Sequence, residues 1–304
     1  MKKMRRMVFA RELGGSKMKF QYLGTAAAEG WPAVFCKCEH CLRAAKAGGK
    51  NIRTRSQAII NGELLLDLPP DTYLHKLQHG LDLSAVKYLF VTHCHMDHFY
   101  PQELSIRGSC YSPVMESPDL DIFCAAETKE LFDRCTRDEI DKDSAAALHW
   151  HILKAFEPVQ AGPYTVTPLP ASHMAADRSN EPFIYHIADS EGVSAYYLHD
   201  SGYYLPEVWA YFKRQKPADF ISFDGTHGGI SVGRQWGHMG GPDILEVAAE
   251  MRETGLIDEK TICVMNHFSH NGQLLHEELE ALANPAGILV SYDGMTLDLF
   301  PHCV

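Results

Sequence analysis

Thr92-His93-Cys94-His95-Met96-Asp97-His98 is the stretch that decides how this chain is read. Three imidazoles and a carboxylate fall within six positions, and packed together without a cation they would repel one another or stay unsatisfied. His93 and His95 can converge on one ion, while Asp97 and His98, displaced along a turn, face a second. Nitrogen and oxygen donors without sulfur suit Zn, Mn or Fe, so two divalent ions are expected and the choice among the three stays open. Cys94 and Met96 alternate with these side chains and are expected to point into the core.

Working outward, Tyr88 to Thr92 reads as a strand that ends directly on the cluster. Other strand patterns cover Lys19 to Leu23, Ala58 to Ile60, Glu63 to Leu66, Tyr164 to Leu169, Phe183 to Ile187, Ala195 to Leu198, Phe220 to Phe223 and Thr261 to Asn266. Asn61-Gly62 between two apolar runs is a hairpin signal. Helical periodicity covers Thr72 to His79, Glu127 to Asp138, Asp243 to Glu253 and Leu274 to Leu282. Strands and helices mix throughout, with no linker-like or repeated tract, so an α/β (α+β) fold in one domain over residues 18–304 is expected. His173, Asp200 and His267 also trail strand patterns, where side chains are aimed rigidly yet stay open to a substrate.

The composition narrows the partners. Lys and Arg number 28 against 39 Asp and Glu, a net charge of -11 that argues against a long nucleic acid. Nine cysteines, three of them at Cys36, Cys38 and Cys41, suit a metal and a reducing compartment better than a disulfide framework. Residues 1–17 are basic and hold only Met7 to Ala10 as an apolar run, short of the roughly 7 to 15 residues of a signal-peptide core. They read as a disordered extension, with Met18 an alternative start. No stretch approaches the roughly 20 apolar residues of a membrane helix, so no membrane partner is expected and the cytoplasm is the default location.

The His93 to His98 segment is similar to the HxHxDH signature of the metallo-β-lactamase superfamily. That resemblance implies an αββα sandwich of two mixed β-sheets flanked by helices, with metals at one rim. It also implies that His173, Asp200 and His267 complete the set: His93, His95 and His173 on one ion, Asp97, His98 and His267 on the other, and Asp200 between them. Asp67 resembles the family's ligand-orienting aspartate, a strand-end cap being the alternative. Such a pair of ions yields hydroxide at neutral pH, which Asp97 would orient as well as binding metal. An Asp rather than a Glu at the third ligand position argues against the iron-based oxygen-reducing branch.

Cys36, Cys38 and Cys41, with Gly24-Thr25-Ala26-Ala27 before them, resemble the PhnP-like phosphodiesterase branch, which carries an extra zinc. There the fourth ligand is a His three positions beyond the last active-site His, and His270 stands three after His267. The resemblance thus implies a structural Zn on Cys36, Cys38, Cys41 and His270, with His40 the competing ligand. Arg53 to Gln57 and Asp67 to Asp71 also resemble PqqB-like proteins, which lack the intact histidine motif. His238, before the helix pattern at Asp243, resembles the non-ligand His that related phosphodiesterases use to protonate the leaving group; His227 is the rival. Arg53 and Arg55 either meet a phosphate or line the surface.

The resemblance therefore implies a hydrolase cleaving a small phosphodiester, cyclic ones included, with the stretch from Ser105 to Pro158 setting specificity. The alternatives are a tRNase Z-like RNA-processing nuclease and a PqqB-like accessory or carrier protein without turnover. Self-association into a homodimer stays open.

Overall fold

A computed structural model describes residues 17–173, 181–234 and 237–302. Within them the Tyr88 strand lies inside a seven-stranded sheet containing β1 (Met18–Gly24), β2 (Gln57–Ile60), β3 (Leu64–Leu66), β4 (Tyr88–Phe90), β5 (Leu120–Cys124) and β6 (Leu148–Ile152). A second sheet holds β7 (Val159–Ala161), β8 (Tyr164–Pro170), β9 (Phe183–Asp189), β10 (Ser194–Leu198), β11 (Phe220–Asp224), β12 (Ile262–Asn266) and β13 (Ile288–Val290). The chain then returns to the first sheet as β14 (Thr296–Leu299), paired antiparallel outside β1. Both sheets are mixed: β3 to β6 run parallel, as do β10 to β13, while β1–β2, β2–β3 and β7 to β10 pair antiparallel.

The central strands are apolar on both faces because both faces are covered. Alternate residues sort into two layers. Phe20, Ile60, Leu64, Leu66 and Phe90 meet Tyr185, Ala195, Tyr197, Phe220 and Val264 between the sheets. The intervening residues of the second sheet, Leu198, Ile221, Phe223 and Met265 among them, pack against outer helices. Those of the first sheet, including Ile59, Leu65, Leu89 and Ile122, form a third core with Phe132. The helices are α1 (Glu39–Ala47), α2 (Thr72–His79), α3 (Ala126–Thr136), α4 (Lys142–Ala146), α5 (Pro206–Phe212), α6 (Gly241–Thr254) and α7 (His276–Ala283). Helix α6 shows why one face is buried: Ile244, Val247, Ala248 and Met251 recur at helical spacing and all lie in the core. The helix stops at Gly255, whose φ of +81° is the left-handed conformation favoured after a last turn.

The αββα sandwich expected from the sequence is therefore present, and the Asn61-Gly62 turn joins β2 to β3 with φ of +51° and +75°. Strands β5, β6, β7, β13 and β14 and helices α1, α4 and α5 were not legible. Several of them, β7, β13, β14 and α4, span only three to five residues, too few for a periodic pattern to stand out. Of the expected N-terminal extension, residues 1–16 lie outside the described residues, whereas Lys17 pairs with Asp298 at 2.9 Å. No helix among the described residues is long and apolar enough to cross a membrane.

Candidate metal centre

The carboxyl ends of several strands meet at one rim. Asp67 follows β3, His93 to His98 follow β4, His173 follows β8, Asp200 follows β10, Asp224 ends β11 and His267 follows β12. Three of these residues, Asp67, Asp200 and His267, hold φ between +50° and +66° without being glycine. Such conformations cost about 1–3 kcal/mol each and persist where the surroundings over-determine them, commonly at functional sites.

His93, His95 and His173 form one group of donor atoms within 4.8 Å of one another, and Asp97, His98, Asp200 and His267 form another. His93 Nε2 is 2.8 Å from His95 Nδ1, and His173 Nε2 is 3.2 Å from that same Nδ1. The two groups are joined by a single oxygen: Asp200 Oδ2 lies 3.2 Å from His93 Nε2 and 2.7 Å from His98 Nε2.

Outer hydrogen bonds hold the far nitrogen of four rings, those of His93, His98, His173 and His267, and turn the other nitrogen toward the donor groups. Asp67 accepts from Thr92 N, Thr92 Oγ1 and His98 Nδ1 at 2.8, 2.9 and 2.7 Å. The Thr92 hydroxyl, donating to Asp67, can then accept from His93 Nδ1 at 3.0 Å. Thr226 does the same for His267 Nδ1 at 2.8 Å, and Gly237 O takes His173 Nδ1 at 3.4 Å. Meanwhile His267 Nε2 and Asp200 Oδ1 are buried with no hydrogen-bond partner among the described residues, and His98 Nε2 faces the Asp200 carboxylate at 2.7 Å. Buried lone pairs facing one another are costly unless a cation sits among them, so this donor set fits divalent ions.

Electrostatics reflect the crowding. Burial pushes the His93 pKa well below the usual imidazole range, and the neighbouring His98 adds to the effect. For His98, burial disfavours the charge, but Asp200, Asp97 and Asp67 outweigh it and hold the pKa well above normal. Burial likewise opposes ionisation of Asp200, but His267 and His98 keep its carboxyl well below the usual range.

A family model described as "Beta-lactamase superfamily domain" matches residues 64–262. The chain belongs to the metallo-β-lactamase superfamily. Among solved structures it is similar to a diphosphatase from the PhnP family, at 19% identity and TM-score 0.71 over 93% of this chain and 97% of that one. It is similar to Zn(2+)-bound PqqB from Methylobacterium extorquens at 20% identity and TM-score 0.73, over 92% and 100%. The short form of human tRNase Z matches at 17% identity and TM-score 0.60, over 92% and 98%. These likenesses show the shared fold. No curated protein sequence matches. Membership makes the chain a metallo-β-lactamase-fold, metal-dependent hydrolase.

Elsewhere in this metallo-β-lactamase fold, Cys36, Cys38, Cys41 and His270 form a third donor group within 4.8 Å. Cys38 Sγ is 3.3 Å from His270 Nδ1, so His270 rather than His40 joins the three sulfurs. Backbone N–H from Cys41 and the His270 ring stabilise the Cys38 thiolate and bring its pKa down to about 6. Glu29 lies 3.6 Å from His270 Nε2 and accepts from Ser269 Oγ, tying this group to the loop that carries His267.

His238 sits beside the centre, and with Asp200, Asp224 and His267 it forms a further group of donor atoms within 4.8 Å of one another. Its Nδ1 is 3.1 Å from Asp224 Oδ2 and 3.3 Å from Asp200 Oδ1. Burial works against its charge, yet Asp224 and Asp200 lift its pKa to about 9. Asp224 is the residue that sequence reasoning missed. Its Oδ1 accepts Thr226 N and Met239 N, while Oδ2 accepts Asp200 N, so a fully buried carboxylate fixes three functional segments at once. Its one sequence signal is that it ends a strand, as Asp67 and Asp200 nearly do. Gly240 lets this loop close, because a Cβ there would run into Ile230 O.

Other expectations change. Met96 is 63% exposed and Cys94 only half-buried, because residues 93–98 form a turn closed by His98 N to His95 O and Phe99 N to His95 O, where strand alternation does not apply. Arg53 neither meets the rim nor lines the surface: it is buried, donating to Thr25 Oγ1 and Ser291 O at 2.8 Å and stacking 4.2 Å from the Phe268 ring centre. Arg55 is held by Asp71 at 3.0 Å. His227 is half-buried, its ring centre 6.1 Å from that of His238.

Proposed function

We propose that the protein is a dimetal phosphodiesterase acting on a small phosphodiester, cyclic ones included, with His238 as proton donor. One observation carries this reading: an Asp224-paired imidazole stands 3.3 Å from the carboxylate that joins the two donor groups. In this reading His93, His95 and His173 would hold one ion and Asp97, His98 and His267 the other, with Asp200 available to both. Divalent ions there would supply Lewis acidity, lowering the pKa of a bound water from about 15.7 to about 7 and neutralising charge on phosphoryl oxygens.

The chain's own residues do the rest. Asp97, buried at the rim, orients the attacking water as well as holding metal. Asp224 keeps the proton on His238 Nδ1 and leaves Nε2 to pass a proton to a departing alkoxide. A helix N-terminus two residues after Met239 adds backbone N–H groups and a positive dipole end that favour phosphate. Cys36, Cys38, Cys41 and His270 hold a structural zinc that staples the N-terminal loop to the rim. The net charge of -11 weighs against a tRNA substrate, and the complete histidine set weighs against a PqqB-like role without turnover.

The test is a substrate panel after metal analysis: cyclic nucleotides, bis(p-nitrophenyl) phosphate, a nucleoside diphosphate, a lactone, a β-lactam and a pre-tRNA. Turnover of the small phosphodiesters supports the reading. Turnover of the lactone or β-lactam alone overturns it, and turnover of the diphosphate alone reassigns the enzyme to a phosphoanhydride.

A further inference from the structure

The geometry points to a buried polar brace, His199 with Asn266, that sets the shape of the metal centre from behind; this rests on the centre holding metal as proposed above. His199 immediately precedes Asp200, and Asn266 immediately precedes His267. Both are fully buried, and Asn266 Nδ2 lies 3.3 Å from each ring nitrogen of His199. The pair is anchored on both sides. His199 Nε2 is 2.6 Å from Ser222 Oγ, which is 2.6 Å from the hydroxyl of Tyr22 on the opposite sheet. Asn266 Oδ1 accepts from Ser291 Oγ on the loop after β13.

A chain of five buried polar side chains, with buried Ser56 Oγ a further 3.5 Å from His199 Nδ1, is costly to assemble, and apolar residues would fill the space without needing partners. Fully satisfied networks of this kind rigidify and specify one arrangement. The brace acts through the next residue on each strand: Asp200 at φ +50° and His267 at φ +64° leave the strands through left-handed turns. By pinning the residues before both turns to each other and to Tyr22, the brace fixes where the two side chains emerge. His199 and Asn266 are thus positioning residues, coupling the carboxylate that joins the two donor groups to the last imidazole of the set.

The test uses cobalt(II) titration of the metal-free full-length protein. His199→Phe keeps a ring packed against that of Tyr197, whose centroid is 3.9 Å away at a 51° tilt, but removes both nitrogens. The expected result is a roughly 10–100-fold weaker cobalt affinity at the nitrogen and oxygen centre, with shifted d–d bands. The thiolate charge-transfer band of the Cys36, Cys38, Cys41 and His270 group should keep its intensity, serving as an internal control. Tyr22→Phe removes only the distal anchor and should move affinity the same way by less; it decides the matter if His199→Phe does not fold. Unchanged affinity and bands in the folded variant, whatever happens to its melting temperature, would overturn the brace. A wild type that shows no cobalt bands from the nitrogen and oxygen centre overturns the metal reading itself, and the brace with it.

Discussion

Asp224 Oδ2 lies 3.1 Å from His238 Nδ1 and accepts the backbone N–H of Asp200 at 3.0 Å. One buried oxygen therefore aligns the proposed proton donor and the residue that joins the two donor groups. His238→Ala is expected to lower kcat about 10²–10⁴-fold on alkyl phosphodiesters, the usual range for a lost general acid. On bis(p-nitrophenyl) phosphate, whose leaving group is stable as an anion, the loss should be far smaller. Asp224→Asn should show the same pattern with a smaller loss. Steady-state kinetics on both substrates, with metal content measured in parallel, checks this; equal losses on the two substrates would remove His238 from the proton-donor role.

Asp200→Asn should strip the centre. The substitution takes a negative charge from the point 2.7 and 3.2 Å from two imidazole nitrogens. Metal affinity is expected to fall at least about 100-fold, and activity with it, while the Cys36 group keeps its ion. Elemental analysis after dialysis reads the stoichiometry. Retention of the full metal content would contradict Asp200 as the joining ligand.

Cys38→Ser should separate stability from chemistry. Losing the proposed zinc on Cys36, Cys38, Cys41 and His270 would free the loop that is tied to residues 268–270, and a drop in melting temperature on the order of 5 °C is expected for a chain of this size. Zinc content should fall by one per chain with kcat little altered. An unchanged zinc count would remove the structural site.

Acid should destabilise the protein through His75. Its ring nitrogens meet Gln57 Oε1 at 2.6 Å and Thr54 Oγ1 at 2.7 Å, and burial pushes its pKa down to about 4. The folded state thus holds the neutral ring more firmly than the unfolded chain, whose His titrates near 6.5. Stability from this residue is complete above about pH 6.5 and is lost as pH falls through about 4, on the order of 3 kcal/mol in all. Denaturant melts of wild type and His75→Gln between pH 7 and pH 4 should converge at the acid end. A constant gap across that window would refute the assignment.

The candidate ligand residues were legible because their chemistry is local. His93, His95, Asp97 and His98 lie within six positions, and no folding argument accounts for them. His173, Asp200 and His267 each trail a strand pattern, but it is the resemblance to the superfamily's order of ligands that singles them out from other strand-end residues. Asp224 could not be distinguished from any other strand-end acid, and Arg53 looked like a candidate phosphate ligand because nothing in its neighbours announced that the segment turns inward. Met96 was misplaced for the complementary reason: alternation was carried past the end of β4 into a turn.

Sequence by itself determined a mixed α/β chain and a cluster of side chains able to hold a cation, since hydrophobic periodicity dictates which faces are buried and clustered imidazoles are costly without a counter-charge, while the sandwich was implied by the superfamily resemblance. Only the tertiary structure decided which nitrogen of each ring faces inward, that Asp200 Oδ2 joins the two groups, and that Asp224 holds His238. Those facts depend on buried hydrogen bonds between residues far apart in the chain, and on left-handed turns at Asp67, Asp200 and His267. No local propensity encodes either, because both exist only once the two sheets are stacked and water has been excluded from between them.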